Sequence, residues 1–273
     1  KIYWYFAHER QQIFERKLRG ETPLTNDPIF STYKFCNSYR ASDRVSQYLI
    51  KNVAYSKQDD HAYDRLFQII AFRLFSKIET WDAVIEFLGH APTLDDLAKD
   101  HFTEALTHAL VKNKKLYTGA FILCANDAYG EGRKYLNHVA LLKDMFLHSK
   151  MGARVMDAKS LESIYNILHG FPLMGDFMSY QITIDFNYSD LISFSENDFT
   201  KAGPGARRGI TKVFEDTNGY SNEDIIMWMV DNQERAFVQC GHDFKGLFGR
   251  ALTAIDCQNI FWRSQNTTIQ FNN

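Results

Sequence analysis

The sequence is short of most features that would classify it at a glance. Its four cysteines, Cys36, Cys124, Cys240 and Cys257, stand far apart. No pair has zinc or redox spacing, and a disulfide framework is not the organising principle. Buried, reduced thiols are expected, as in a cytosolic protein. The nine histidines form neither a His-x-Glu nor a His-Glu-x-x-His pattern, so no metal and no cofactor is expected. No apolar run reaches the roughly 18 residues of a membrane span. The first ten residues lack the small-residue cleavage site of a secretory signal, and no membrane partner is expected. The chain opens on Lys1 rather than Met, which leaves open a preceding segment. There is no cationic excess either: the net charge is −2. That argues against a general polyanion binder, while leaving room for one local basic face.

What is present is a large apolar complement, 45% hydrophobic with 22 Phe and 14 Tyr among 273 residues, enough for a sizeable core. Only five prolines interrupt it, and helical periodicity dominates. Helices are predicted over residues 3–18, 30–37, 42–49, 61–75, 79–88, 94–112, 133–148, 159–169, 176–187, 206–214, 222–238 and 251–262. Asp27-Pro28 is a helix start, a capping residue followed by Pro in the first turn. Residues 116–124 read as a short strand or a buried helix, and 149–157 as a loop. A single mainly α domain over 1–273 is expected, with a lobe boundary near 115–135 where Gly119, Gly130 and Gly132 cluster.

Three constellations could carry chemistry. The turn 170–175, ending at Gly175, exposes N–H groups at a helix start that could hold a DNA phosphate. Asp198 follows about two dozen residues later. A carboxylate there could face an extruded nucleotide and stabilise charge on its sugar, or simply cap a helix. The second is Gly203-Pro204-Gly205-Ala206-Arg207-Arg208-Gly209 with Lys201 and Lys212 beside it. This glycine-rich, basic helix start suits an anion, yet lacks the Gly-Lys-Ser/Thr ending of a nucleotide-binding loop. The third is Asn37-Ser38-Tyr39-Arg40-Ala41-Ser42-Asp43-Arg44, where Asn37 and Tyr39 could read a base edge and Arg40 and Arg44 could hold phosphate. The alternative for it is a capped helix junction with one salt bridge. Tyr180-Gln181 and Asp256-Cys257-Gln258-Asn259 are weaker polar signals for which core packing is the simpler reading.

Asp27-Pro28 through Leu49, and the glycine-bearing hairpin followed by Asp198, resemble the helix-hairpin-helix DNA glycosylase superfamily. A more specific set is Phe35-Cys36-Asn37-Ser38-Tyr39-Arg40, Asp43-Arg44-Val45-Ser46, Gly175-Asp176-Phe177-Met178-Ser179-Tyr180-Gln181, Ala202-Gly203-Pro204-Gly205-Ala206 and Ile255-Asp256-Cys257-Gln258-Asn259. In that order it is similar to the α-glutamyl/putrescinyl-thymine pyrophosphorylase and hydroxymethyluracil-DNA-kinase helical-domain family. The resemblance spans nearly the whole chain. It departs from the glycosylases in a one-glycine hairpin and in Phe177 near the position of their lyase lysine.

The resemblance implies two helical lobes around a cleft, double-stranded DNA with modified bases as partner, and base flipping. The first expectation is a monofunctional glycosylase that excises a bulky pyrimidine, hydroxymethyl-derived or its glucosylated form, as in antiviral defence against phage. Asp198 would be catalytic, Asn37, Tyr39, Arg40, Tyr180 and Gln181 would contact the base, and Arg44, Gly175, Lys201, Gly203, Gly205, Arg207 and Arg208 would hold DNA. Asp224 and Asp185 are the other carboxylates considered for the Asp198 role. The second expectation is a base-modifying transferase that replaces pyrophosphate on an activated 5-hydroxymethyl pyrimidine with an amine or amino acid. The third is a non-catalytic reader of modified DNA.

Overall fold

A computed structural model of the chain describes residues 1–33, 35–56, 61–119 and 127–264. Among the described residues every regular element is helical, and extended backbone pairs at one isolated bridge, Leu247 with Arg250. The mainly α expectation therefore holds. The chain forms two compact units, one of Lys1–Asp43 with Glu196–Asn273, the other of Arg44–Ser195. The division falls at those two junctions and not within 115–135.

The first unit contains α1 (Ile2–Leu18), α2 (Pro28–Thr32), α12 (Pro204–Val213), α13 (Asn222–Gln239) and α14 (Ala254–Ser264). The second contains α3 (Arg44–Leu49), α4 (Ala62–Phe75), α5 (Ile78–Leu88), α6 (Leu94–Ala98), α7 (His101–Asn113), α8 (Lys134–Lys143), α9 (Met151–Met156), α10 (Leu161–His169) and α11 (Asp176–Asn187).

In the second unit α4 is the central helix, with every residue from Leu66 to Phe75 buried. A helix buried on all sides has to be wrapped by others. Helices α6, α8, α9 and α11 pack against it, while α5 pairs with α7 and α10 with α11. One charged pair crosses this interior. Arg73 of α4 donates from Nη2 to Asp185 Oδ1 of α11 at 2.9 Å, and both side chains are buried. The Asp185 carboxylate is thereby committed to structure.

The first unit has its own core, in which Tyr3, Trp4 and Phe6 of α1 meet Phe237 of α13 and Phe261 of α14. Helices α12 and α14 pack closely, and Gly209 is the reason they can. A Cβ at this position would lie 2.1 Å from the Phe261 carbonyl oxygen, so only a residue without a side chain lets the backbones approach.

Several predicted elements differ in detail. The helix of 30–37 ends at Thr32, because Tyr33 adopts extended geometry. The single helix of 94–112 is two, broken at Lys99 and Asp100, where Asp100 has φ 64°. The loop of 149–157 contains α9, started by Lys150 at φ 49°. The helix placed at 206–214 begins at Pro204, the first-turn position Pro favours. Helices α3 and α8 each run on into a π-helical turn, Ile50–Ala54 and Asp144–His148, which periodicity does not announce. Residues 116–119 are not in a helix or strand; the remainder of the ambiguous 116–124 stretch, with Cys124, lies outside the described residues.

Candidate functional site

The polar cluster after α2 is not a surface patch. It is a loop tied at both flanks by side chains from distant parts of the chain. Arg10 of α1 is buried and donates to the carbonyls of Cys36 (2.7 Å) and Asn37 (2.6 Å). Asn37 donates to Gln11 Oε1 at 2.8 Å and accepts the Tyr39 N–H at 2.7 Å. Ser38 Oγ donates to the Ala7 carbonyl at 2.7 Å. The backbone thus turns sharply and enters the 3-10 turn Arg40–Ser42 with Arg40 buried. Each bond fixes a polar group that would otherwise be desolvated without a partner.

The far side of this loop meets the start of α14. Asp256 Oδ1 accepts the Arg40 N–H at 2.7 Å. Its Oδ2 accepts the Thr253 N–H at 3.2 Å and lies 3.1 Å from the Thr253 hydroxyl oxygen. One carboxylate therefore secures two helix starts. Thr253 also donates to Glu196 Oε2 at 2.7 Å, while Glu196 Oε1 takes Arg250 Nη2 at 2.7 Å. Burial, reinforced by the neighbouring Glu196 charge, pushes the Asp256 carboxyl up to about 6 from its ordinary 3.8. A carboxyl in that range exchanges its proton close to neutral pH. Burial also raises the Tyr39 phenol well above its usual range, and that hydroxyl donates to the Arg250 carbonyl.

The glycine-rich start of α12 joins the same layer through Gln258. Its Oε1 accepts the Gly203 N–H at 3.2 Å, and its Nε2 donates to the Lys201 carbonyl at 2.8 Å. Arg207 Nε donates to the Ala202 carbonyl at 2.9 Å, and Glu223 takes the Ala202 N–H and sits 3.9 Å from Lys201. Gly205 is buried, whereas Arg207 and Arg208 are exposed. The Gly203 N–H expected to meet an anion is thus already bonded within the protein. Lys201, Arg207 and Arg208 place positive charge beside this helix N-terminus.

The first unit brings together Asn37, Tyr39, Arg40, Lys201, Gly203, Gly205, Arg207 and Arg208. Asp198 lies in the same unit, exposed on the turn 196–198. Asn37 and Tyr39, expected to read a base, instead spend their polar atoms inside the protein. Arg44, Gly175, Tyr180 and Gln181 belong to the second unit. There Gly175 precedes α11, Tyr180 and Gln181 are buried within α11, and the left-handed residue of the 170–175 turn is Leu173 (φ 67°) rather than a glycine. Asp224 is taken up by a capping box with Ser221 at the start of α13.

Among the residues that hold the layer, Arg10, Gln11, Glu196, Glu223, Arg250 and Thr253 were not expected as site residues. Thr253-x-x-Asp256 is readable as a capping box, the one signal that could have marked this helix start. Glu196 stands two residues before Asp198, and nothing in the sequence says which of the two turns inward.

Fold and layer together define a helical chain in which converging helix starts are locked by a buried carboxylate and flanked by exposed arginines. The family model described as "5-hmdU DNA kinase, helical domain" matches residues 1–265, and the chain belongs to that family. A relative from Bacillus phage SP10 named "5-hmdU DNA kinase" is 26% identical over 262 residues, covering 89% of this chain and 40% of the relative. The chain therefore spans about two fifths of that relative's length. No solved structure matches. Neither comparison names a glycosylase. The excision expected from the sequence is therefore not carried forward, and the modification chemistry given second is.

Proposed function

We propose that this chain binds DNA containing 5-hydroxymethyluracil and serves a group-transfer reaction at the 5-hydroxymethyl group, with the glycosidic bond left intact. The observation that carries this reading is the family match over residues 1–265. The phage relative, named for a kinase of the same nucleoside, supports it. Lys201, Arg207 and Arg208 are assigned to phosphates of the DNA backbone, where a few well-placed cations supply most of the affinity. Asn37, Tyr39 and Asp256 are positioning residues that fix the loop carrying Arg40. Asp198, on its exposed turn, is the carboxylate proposed to receive the hydroxymethyl proton as that oxygen attacks the terminal phosphorus of a nucleoside triphosphate and the nucleoside diphosphate leaves. The 273 residues contain no Gly-x-x-x-x-Gly-Lys-Ser/Thr loop, so the roles assigned within this chain are on the DNA side of the reaction.

Two measurements test the reading. Binding to duplexes that differ only in 5-hydroxymethyluracil or thymine is expected to favour the former; equal affinity overturns it. Incubation of such DNA with the protein, digestion, and mass spectrometry should return its nucleosides with their glycosidic bonds intact. Free base or abasic sites would show excision and refute the proposal.

A further inference from the structure

A crevice in the first unit lies apart from the layer just described, at the other end of α12. Its volume is about 440 Å³, and its walls include Phe214, Tyr220 and Trp228 together with Asp216 and Asp224. Phe214 closes the C-terminal end of α12, Trp228 projects from α13, and Tyr220 comes from the loop between them. Tyr220 is 66% and Trp228 49% exposed. They are two of the seven aromatic side chains exposed to water among the described residues, and both line a cavity of ligand size.

The loop is built rather than slack. Asp216 Oδ1 accepts the Asn218 N–H at 2.8 Å, and the Tyr220 N–H reaches the Thr217 carbonyl at 3.0 Å. Asn218 and Gly219 both take left-handed backbone conformations, φ 50° and 80°. At the start of α13, the Ser221 hydroxyl and N–H both donate to Asp224 Oδ2, which holds its carboxylate in the ionised form.

Charge decides what such a crevice can hold. Its walls carry two carboxylates, Asp216 and Asp224, and no Lys, Arg or His. A nucleotide or a DNA strand would bring phosphates against Asp216 and Asp224 and be repelled. A purely apolar ligand would strip water from both carboxylates without compensation. A cation meets neither obstacle, because aromatic faces and carboxylates attract the same charge.

We infer that the crevice lined by Phe214, Tyr220, Trp228, Asp216 and Asp224 is a binding site for a small organic cation of the alkylammonium class. The aromatic rings supply the apolar and cation–π contact, and the carboxylates select against neutral molecules of the same shape. This site is independent of the DNA reading above and stands or falls without it.

Calorimetric titration of the whole chain with choline and with its neutral carbon isostere, 3,3-dimethylbutan-1-ol, tests the assignment. Saturable choline binding in the millimolar range or tighter is expected, with the isostere about tenfold weaker or worse. Asp216→Asn should weaken choline about three- to tenfold. Trp228→Ala should abolish binding, while Trp228→Phe, which keeps a ring, should retain part of it. Thermal unfolding of each variant shows whether the fold is intact, and both Trp228 and Asp216 are solvent-facing enough for that to be expected. Equal binding of choline and the isostere would mean an apolar crevice without charge selection and would overturn the proposal. So would the absence of saturable choline binding, or binding unchanged in both Asp216→Asn and Trp228→Ala.

Discussion

Replacing Asp256 by Asn removes a charge from the best-defined point of the structure while changing its shape little. The folded carboxyl titrates at about 6 and the ordinary value is 3.8. Folding therefore favours the protonated acid. Below pH 3.8 both states are protonated and the group carries no penalty. As pH rises from 3.8 to 6 the unfolded chain ionises first, so stability falls; above 6 both states are ionised and the full cost is present. The gap between the two values corresponds to about 3 kcal/mol. The amide introduced by Asp256→Asn can still accept the Arg40 N–H, but its NH2 then faces the Thr253 N–H, a fixed cost of about 1–3 kcal/mol. The two contributions separate because only one depends on pH. Urea unfolding of wild type and Asp256→Asn at several pH values from below the ordinary carboxyl value to above neutrality gives the difference directly. That difference should shift in favour of the variant by about 3 kcal/mol across the interval. A difference that stays constant with pH would refute the claim that this carboxyl is ionised against its environment at neutral pH.

Four further outcomes follow from the packing and the charge. Gly209→Ala should destabilise by about 1–3 kcal/mol or more, since the new methyl meets the Phe261 backbone. Gly175→Ala, where nothing lies within 4 Å, should stay within about 0.5 kcal/mol in the same urea assay. Asp185→Asn should cost about 3–5 kcal/mol by leaving the buried Arg73 guanidinium without its counter-charge; a change below about 1 kcal/mol would contradict the burial of that pair. Arg208→Ala should weaken binding to hydroxymethyluracil and thymine duplexes alike and lower the slope of log affinity against log salt by about 1, whereas an unchanged slope would remove this arginine from the DNA-facing surface.

Local features were legible in the sequence to the extent that their causes are local. The Asp27-Pro28 start is realised by Asp27 Oδ1 accepting the N–H groups of Ile29 and Phe30 at 2.8 and 3.2 Å. The long periodic runs appear within a residue or two of their expected ends as α1, α4 and α13. Breaks set by single left-handed residues without glycine, such as Asp100 and Lys150, were not legible, because neither residue type requires that conformation. The candidate layer was half visible. Asn37, Tyr39, Arg40 and the α12 start stand out as polar clusters, but what they do depends on bonds to residues far along the chain, such as Arg40 with Asp256, 216 positions away. Periodicity carries no information about such pairings. The same limit explains why a polar run taken for a base-reading surface proves to be an internally bonded turn.

The order of the chain bears on how the protein is made. Tyr3 donates to the carbonyl of Cys257, 254 positions away, and Lys1–Asp43 belongs with Glu196–Asn273. During synthesis Trp4 and Tyr3 therefore lack their ring partners Phe237 and Phe261 until α13 and α14 leave the ribosome. The intervening Arg44–Ser195 segment can meanwhile collapse on its own contacts. The late-closing half is the one exposed to aggregation and to chaperone capture in that interval. A nascent chain halted before Ala254 should retain a protease-resistant core from the middle of the sequence while its amino-terminal segment is still digested.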